Sequence, residues 1–176
     1  MKTIAAFTGT RADYGILRPI LREIEAAPDL ALQLIVSGSH LSRDFGNTVS
    51  AIEADGFAIA ERVESLMASD TPAGIAKSIG IGVVGLAQVY ARLKPDLLLL
   101  CGDRFEVLAA AAAAVPFVLP MAHLHGGELT EGAFDDQIRH AITKMSHLHF
   151  ATTPRCVERI VQMGEEPWRV TRSGAP

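Results

Sequence analysis

The densest set of reactive side chains in this sequence lies between His123 and His140. There His123, His125, Glu128, Glu131, Asp135, Asp136, Arg139 and His140 surround a Gly126-Gly127 turn. A helix opening on two carboxylates beside two histidines offers both an acid and a base, whose pKa values a closed cleft can push apart. Asp135 and Arg139, four apart, share a helix face and could equally form a simple ion pair, worth about 0.2–0.5 kcal/mol. His123-Leu124-His125 and His147-Leu148-His149 each put two rings on one side of a strand, which is the beginning of a zinc site. Neither a cysteine pair, a His-Glu-x-x-His run nor a facial triad accompanies them, so no metal is expected; a metal-dependent hydrolase stays as an alternative.

Two further clusters follow strand-like runs. Leu97 to Cys101 is apolar without alternation, the pattern of a strand covered on both faces, and Gly102 releases the backbone into Asp103, Arg104 and Glu106. Asp103 sits where it could cap the helix running through Ala109 to Ala114, or act on a ligand at the carboxyl edge of the sheet. Glu106 could answer the helix dipole or pair with Arg104. Near the start, Thr8-Gly9-Thr10-Arg11 has the spacing of neither a dinucleotide fingerprint nor a P-loop, so no cofactor is expected. What it offers is a turn with free N–H groups and a guanidinium, a reasonable anion site.

The elements that must carry these clusters alternate regularly. Strands are expected at Thr3–Thr8, Leu30–Val36, Ala58–Val63, Leu97–Cys101, Met121–Leu124, His147–Ala151 and Arg169–Arg172. Helices are expected at Asp13–Ala26, Arg43–Ala54, Ala73–Leu93, after Asp103, at Asp135–Met145 and at Pro154–Met163. Strict βα alternation predicts an α/β fold, a doubly wound parallel sheet in the order 3-2-1-4-5-6. In that order the first and fourth strands are neighbours, which brings Thr10 and Arg11 beside Gly102 and Asp103.

With 49% hydrophobic residues the chain can bury a proper core, and its size suits one domain or one lobe of a larger protein. A net charge of -4 argues against a nucleic-acid partner. No apolar run reaches the roughly 20 residues of a membrane span, and no secretory signal precedes the first strand, so no membrane partner and a cytoplasmic location are expected. The glycine-bearing helix Ala73–Leu93 suits close helix packing in a homodimer. The polypeptide ends in a loop that leaves one side of the ligand crevice open, so residues 1–176 are expected to be an N-terminal lobe whose partner lobe lies elsewhere.

Five motifs in order, Thr8 to Gly15, Gly102 to Glu106, His123 to Glu128, Asp135 to Lys144 and Gln162 to Glu165, together resemble the hydrolysing UDP-N-acetylglucosamine 2-epimerases of sialic acid and related nonulosonate synthesis. The resemblance implies the first lobe of a glycosyltransferase-B type fold, with a nucleotide-sugar substrate held mainly by the second lobe. It implies that UDP is eliminated to leave 2-acetamidoglucal and that water then adds to give N-acetylmannosamine. It places Asp103 and Asp135 as carboxylates near the sugar, Arg11 facing the diphosphate and Arg139 ordering the acidic cluster; Thr10, Arg104 and His123 are also expected on the substrate side. Many members of the family carry a glutamate where this chain has His125, so the acid or base role there falls to His125 itself or to Glu128.

Overall fold

The computed structural model describes residues 1–130 and 134–176; Glu131 therefore lies outside the described residues. Seven strands form one parallel sheet: β1 (Lys2–Thr8), β2 (Leu30–Ser37), β3 (Ile59–Val63), β4 (Leu97–Cys101), β5 (Met121–Leu124), β6 (Leu148–Ala151) and β7 (Val170–Arg172). Their order is β3-β2-β1-β4-β5-β6-β7, the expected doubly wound order with the seventh strand added at the edge. β1 pairs with β4 in parallel through Ile4 opposite Leu97, so the chain reverses its direction of travel between those two strands. Among the described residues six α-helices connect the strands: α1 (Arg11–Ala26), α2 (Val49–Ala54), α3 (Pro72–Leu93), α4 (Phe105–Ala114), α5 (Asp135–Met145) and α6 (Pro154–Gln162).

The leucine run of β4 shows why this strand is central. Leu98 and Leu100 point into a core shared with α3, α4 and α5, while Leu99 and Cys101 point into a second core shared with α1 and α2. A side-chain period of two puts successive residues on opposite faces, and both faces are covered, so both sets must be apolar. Cover on the second face thins out beyond α1. There Ile20 and Ile24 of α1, Leu99, Leu124 and Phe150 of the sheet, and the final residues 173–176 line an apolar groove of about 460 Å³.

Three expectations are corrected. The helix anticipated over Arg43–Ala54 is only Val49–Ala54, preceded by two short 3-10 turns, because Gly46 (φ 82) and Asn47 (φ 47) take left-handed conformations that a right-handed helix cannot contain. Asp103 does not cap α4: the N-cap is Arg104, which makes no side-chain capping bond, and the carboxylate of Asp103 is turned elsewhere. Finally, α3 is long and apolar enough, by length and composition, to cross a membrane. Here Leu86, Val89 and Tyr90 pack it into the core against α4, with Gly82 allowing Ala109 of α4 to approach so closely that a Cβ at 82 would lie 2.9 Å from it.

Candidate active site

The carboxyl ends of β1, β4, β5 and β6 form one rim, and side chains gather there in two groups. The first is organised by Arg139, which projects from the second turn of α5 and is 7% exposed at its side chain. Its Nη2 donates to the Asp103 carboxylate beyond β4 and to Thr130 Oγ1 at 2.9 Å, and its Nη1 lies 3.5 Å from Glu128 Oε2 beyond β5. Glu128 Oε1 in turn meets His125 Nδ1 at 2.9 Å and accepts from Thr152 Oγ1, beyond β6, at 2.8 Å. The guanidinium thus ties together groups from two neighbouring strand ends, and Glu128 extends the network to a third through Thr152, at a depth where an unpaired charge would be costly.

The backbone explains how His125 comes to lie beside Glu128. His125 has φ 62, a left-handed conformation that breaks the strand alternation immediately after Leu124. The next two glycines then fold under it. Gly127 has φ 75, and a Cβ there would lie 2.5 Å from the Cys156 carbonyl oxygen, so the turn can seat against α6 only without a side chain. Arg159 of α6 donates to the Gly127 carbonyl oxygen and holds the turn from below. The other ring nitrogen of His125, Nε2, is buried without a hydrogen-bond partner among the described residues.

His123 plays a different part from the one expected. It is fully buried in β5; Nε2 donates to the Gly102 carbonyl oxygen at 2.8 Å and Nδ1 accepts from Thr143 Oγ1 at 3.1 Å. Burial drives its pKa down from 6.5 to about 4, so it is a neutral ring that fixes the turn carrying Asp103 rather than a group facing solvent. The zinc pairs dissolve for related reasons. His125 has left the strand; His147 Nδ1 accepts from Met121 N at 3.2 Å; and His149 is fully buried with Nε2 3.1 Å from Glu165 Oε2. Among the described residues no three His, Cys, Asp or Glu side chains converge as metal ligands.

The second group lines a groove of about 960 Å³ between the first turns of α1 and α4 and the loop at residues 66–70, with Arg11, Asp44, Phe45, Asp70, Arg104 and Glu106 among its walls. Two of the expected free N–H groups of the β1–α1 turn, those of Gly9 and Thr10, are engaged. Asp13 reaches back to accept from Gly9 N and Thr10 N at 3.1–3.2 Å, while Thr10 Oγ1 accepts from Asp13 N in a reciprocal capping box. Both the amide and the hydroxyl of Thr10 are therefore engaged within the turn, and Arg11 is exposed on the groove wall. Asp13 is itself buried; burial raises its pKa, and Thr8 Oγ1 and the turn amides oppose that rise.

Beneath Thr8 sits His40, also fully buried, with Nε2 donating to Thr8 Oγ1 at 3.0 Å and Nδ1 accepting from Thr48 Oγ1 at 2.7 Å. Burial lowers its pKa to about 4. A histidine whose folded pKa is depressed contributes stability that is complete above its ordinary 6.5 and is lost as the pH falls from there toward 4. His40 and His123 are expected to keep neutral-imidazole carbon shifts in NMR titrations down to about pH 5. A ring charging near pH 6.5 would contradict the burial described.

Of the residues singled out from sequence, Asp103, His125, Glu128 and Arg139 come together. Asp135, on the same helix one turn before Arg139, is half-buried and forms no ion pair among the described residues, so the anticipated Asp135–Arg139 pair is replaced by tertiary partners. Arg11 and Arg104 share the neighbouring groove, joined to the first group through the adjacent residue Asp103. Thr130, Thr152, Arg159 and Asp13 were not anticipated. Thr152 was detectable by the reasoning that found Asp103, since it too follows a strand at the rim.

Comparison with known proteins agrees with this architecture. The profile of the family described as UDP-N-acetylglucosamine 2-epimerase matches residues 22–176. The chain is 42% identical over its whole length to the UDP-N,N'-diacetylbacillosamine 2-epimerase (hydrolyzing) of Legionella pneumophila, covering 46% of that protein. It is 40% identical over 99% of its length to the GDP/UDP-N,N'-diacetylbacillosamine 2-epimerase (hydrolyzing) of Campylobacter jejuni, covering 45% of it. The crystal structure of UDP-GlcNAc 2-epimerase from Neisseria meningitidis bound to UDP-GlcNAc superposes with a TM-score of 0.86 at 18% identity, over 99% of this chain and 46% of that one. The chain spans about half the length of the relatives it matches.

Proposed function

The chain belongs to the UDP-N-acetylglucosamine 2-epimerase family, and from that premise we propose that it is one lobe of a hydrolysing 2-epimerase of the glycosyltransferase-B type, acting on a nucleoside-diphosphate-linked 2-acetamido sugar. The observation that carries this reading is the Arg139-centred cluster, which holds Asp103 and the His125–Glu128 pair at one rim beside a groove bearing Arg11 and Arg104. The C2 proton of such a sugar is weakly acidic and the leaving group carries two phosphates. The site therefore needs a carboxylate base, a proton donor on the opposite face, and cations for the diphosphate.

In this proposal Asp103 and Asp135 act near C1 and C2, with Arg139 holding Asp103 in place. A base takes the C2 proton as the C1–O bond breaks, leaving 2-acetamidoglucal and the nucleoside diphosphate. Water then adds across C1 and C2, its hydroxyl going to C1 and a proton returning to C2 from the other face, to give the manno-configured free sugar. His125 and Glu128 share one hydrogen bond, so one of them can hold the proton the other gives up. Arg11 and Arg104 meet the diphosphate. Relatives at 40–42% identity are named for N,N'-diacetylbacillosamine, which favours a 2,4-diacetamido sugar over plain UDP-N-acetylglucosamine.

The two-lobe polypeptide, assayed in deuterium oxide with both nucleotide sugars, should release nucleoside diphosphate and a free 2-epimerised sugar carrying solvent deuterium at C2. A product still joined to its nucleotide would make the enzyme a non-hydrolysing epimerase, and absence of C2 exchange would reject epimerisation. The lobe of residues 1–176 alone should turn over little or no substrate. We place a homodimer contact on the outward face of α3, where Gly80, Ile81 and Val84 are exposed. Light scattering should then give twice the monomer mass, falling to the monomer value in Val84→Glu.

A further inference from the structure

One ionisable side chain at the groove is used by nothing described so far. Glu106 is 2% exposed at its side chain, and neither carboxylate oxygen has a hydrogen-bond partner among the described residues. It is wedged against two glycines: a Cβ at Gly9 would lie 3.0 Å from Glu106 Cβ, and one at Gly38 would lie 3.2 Å from its Oε1. Its ion-pair partner among the described residues is Arg104, whose Nε lies 3.5 Å from Oε2, longer than an ordinary charge-assisted hydrogen bond, and whose side chain is half-exposed on the groove. The charged neighbours are Arg104 on its own helix, Arg11 and buried Asp13 on the β1–α1 segment, and Asp44 and Asp70 on the groove walls. His40, on the segment carrying Gly38, is occupied by Thr8 and Thr48.

A buried carboxylate with so little hydrogen bonding keeps its charge only while its guanidinium stays close. We propose that Glu106 is the proton-linked positioning residue of Arg104: it parks the guanidinium at the groove floor, and it takes up a proton from solvent when the diphosphate of a sugar nucleotide draws Arg104 outward. This rests on the assignment of the groove to the nucleotide diphosphate. Burial, the largest influence on Glu106, already raises its pKa, with Arg104 opposing; an added anion removes that opposition. Because the bound state holds the proton more tightly, affinity is higher at low pH and declines as the pH rises through the bound-state pKa.

The test is an NMR titration of the two-lobe polypeptide with UDP-N-acetylglucosamine, whose diphosphate diester does not titrate near neutrality, following the Glu106 side-chain carboxyl carbon and the dissociation constant at several pH values. Saturation should raise the apparent pKa of Glu106 by one unit or more, with affinity weakening about tenfold across that interval. Glu106→Gln, an isosteric change, should bind with a pH-independent constant. A pH-independent constant in the unmodified chain, or pH dependence retained in Glu106→Gln, overturns the inference alone. Absence of binding at millimolar ligand overturns the groove assignment and the inference with it.

Discussion

Replacing Asp103 by Asn in the two-lobe polypeptide is expected to lower epimerisation roughly 10²–10⁴-fold, the range a positioned acid or base contributes, while nucleotide-sugar affinity changes little. The substitution keeps the shape of the side chain and one oxygen for Arg139, whose remaining partners Glu128 and Thr130 hold the guanidinium where it is. What is removed is a negative charge able to accept a proton at the rim. Turnover measured as C2 deuterium exchange, set beside binding measured on the same preparation, separates an epimerase from a lobe that merely holds sugar nucleotides. In the latter, the substitution would have no turnover to abolish.

Arg139→Met should be the most damaging single change to the fold within the site, costing on the order of 3 kcal/mol. Removing the guanidinium strands Asp103 and Glu128 near each other without a cation, at 19% and 31% side-chain exposure. That residual access to water keeps the expected loss at the lower end of the range for a buried charge left alone. A second substitution identifies the cause. If repulsion and desolvation of Asp103 are responsible, Arg139→Met combined with Asp103→Asn should recover about 1 kcal/mol in urea unfolding, a coupling of the size seen between residues in contact. Strict additivity of the two changes would mean that Arg139 stabilises by packing alone.

Much of the architecture could be read from hydrophobic patterning, because an unbroken leucine run has few places to go except the centre of a parallel sheet. The strand order followed from the strict alternation of strands and helices, which points to a doubly wound sheet. Local pattern failed where a residue had a choice of partners. Asp103 had the sequence position of a cap, and Asp135 and Arg139 had the spacing of a helical pair, but both readings gave way to an arginine that reaches two loops at once. The Gly46-Asn47 break in the second helix was visible in composition, since both residue types enter left-handed backbone readily. So was the capped turn after β1: Thr10 followed three residues later by Asp13 is a capping signature, and it implies that the Thr10 and Asp13 amides are already satisfied.

That occupied turn decides how an anion can be held. Many nucleotide-binding sheets grip phosphate with backbone amides fixed at a helix start, whereas here the Gly9 and Thr10 amides are already held by Asp13. In the proposed site the diphosphate is met mainly by the guanidinium groups of Arg11 and Arg104 on the groove wall, whose reach in electrolyte is only about 8 Å at physiological ionic strength. Added sodium chloride should therefore erode the grip on the nucleotide steeply.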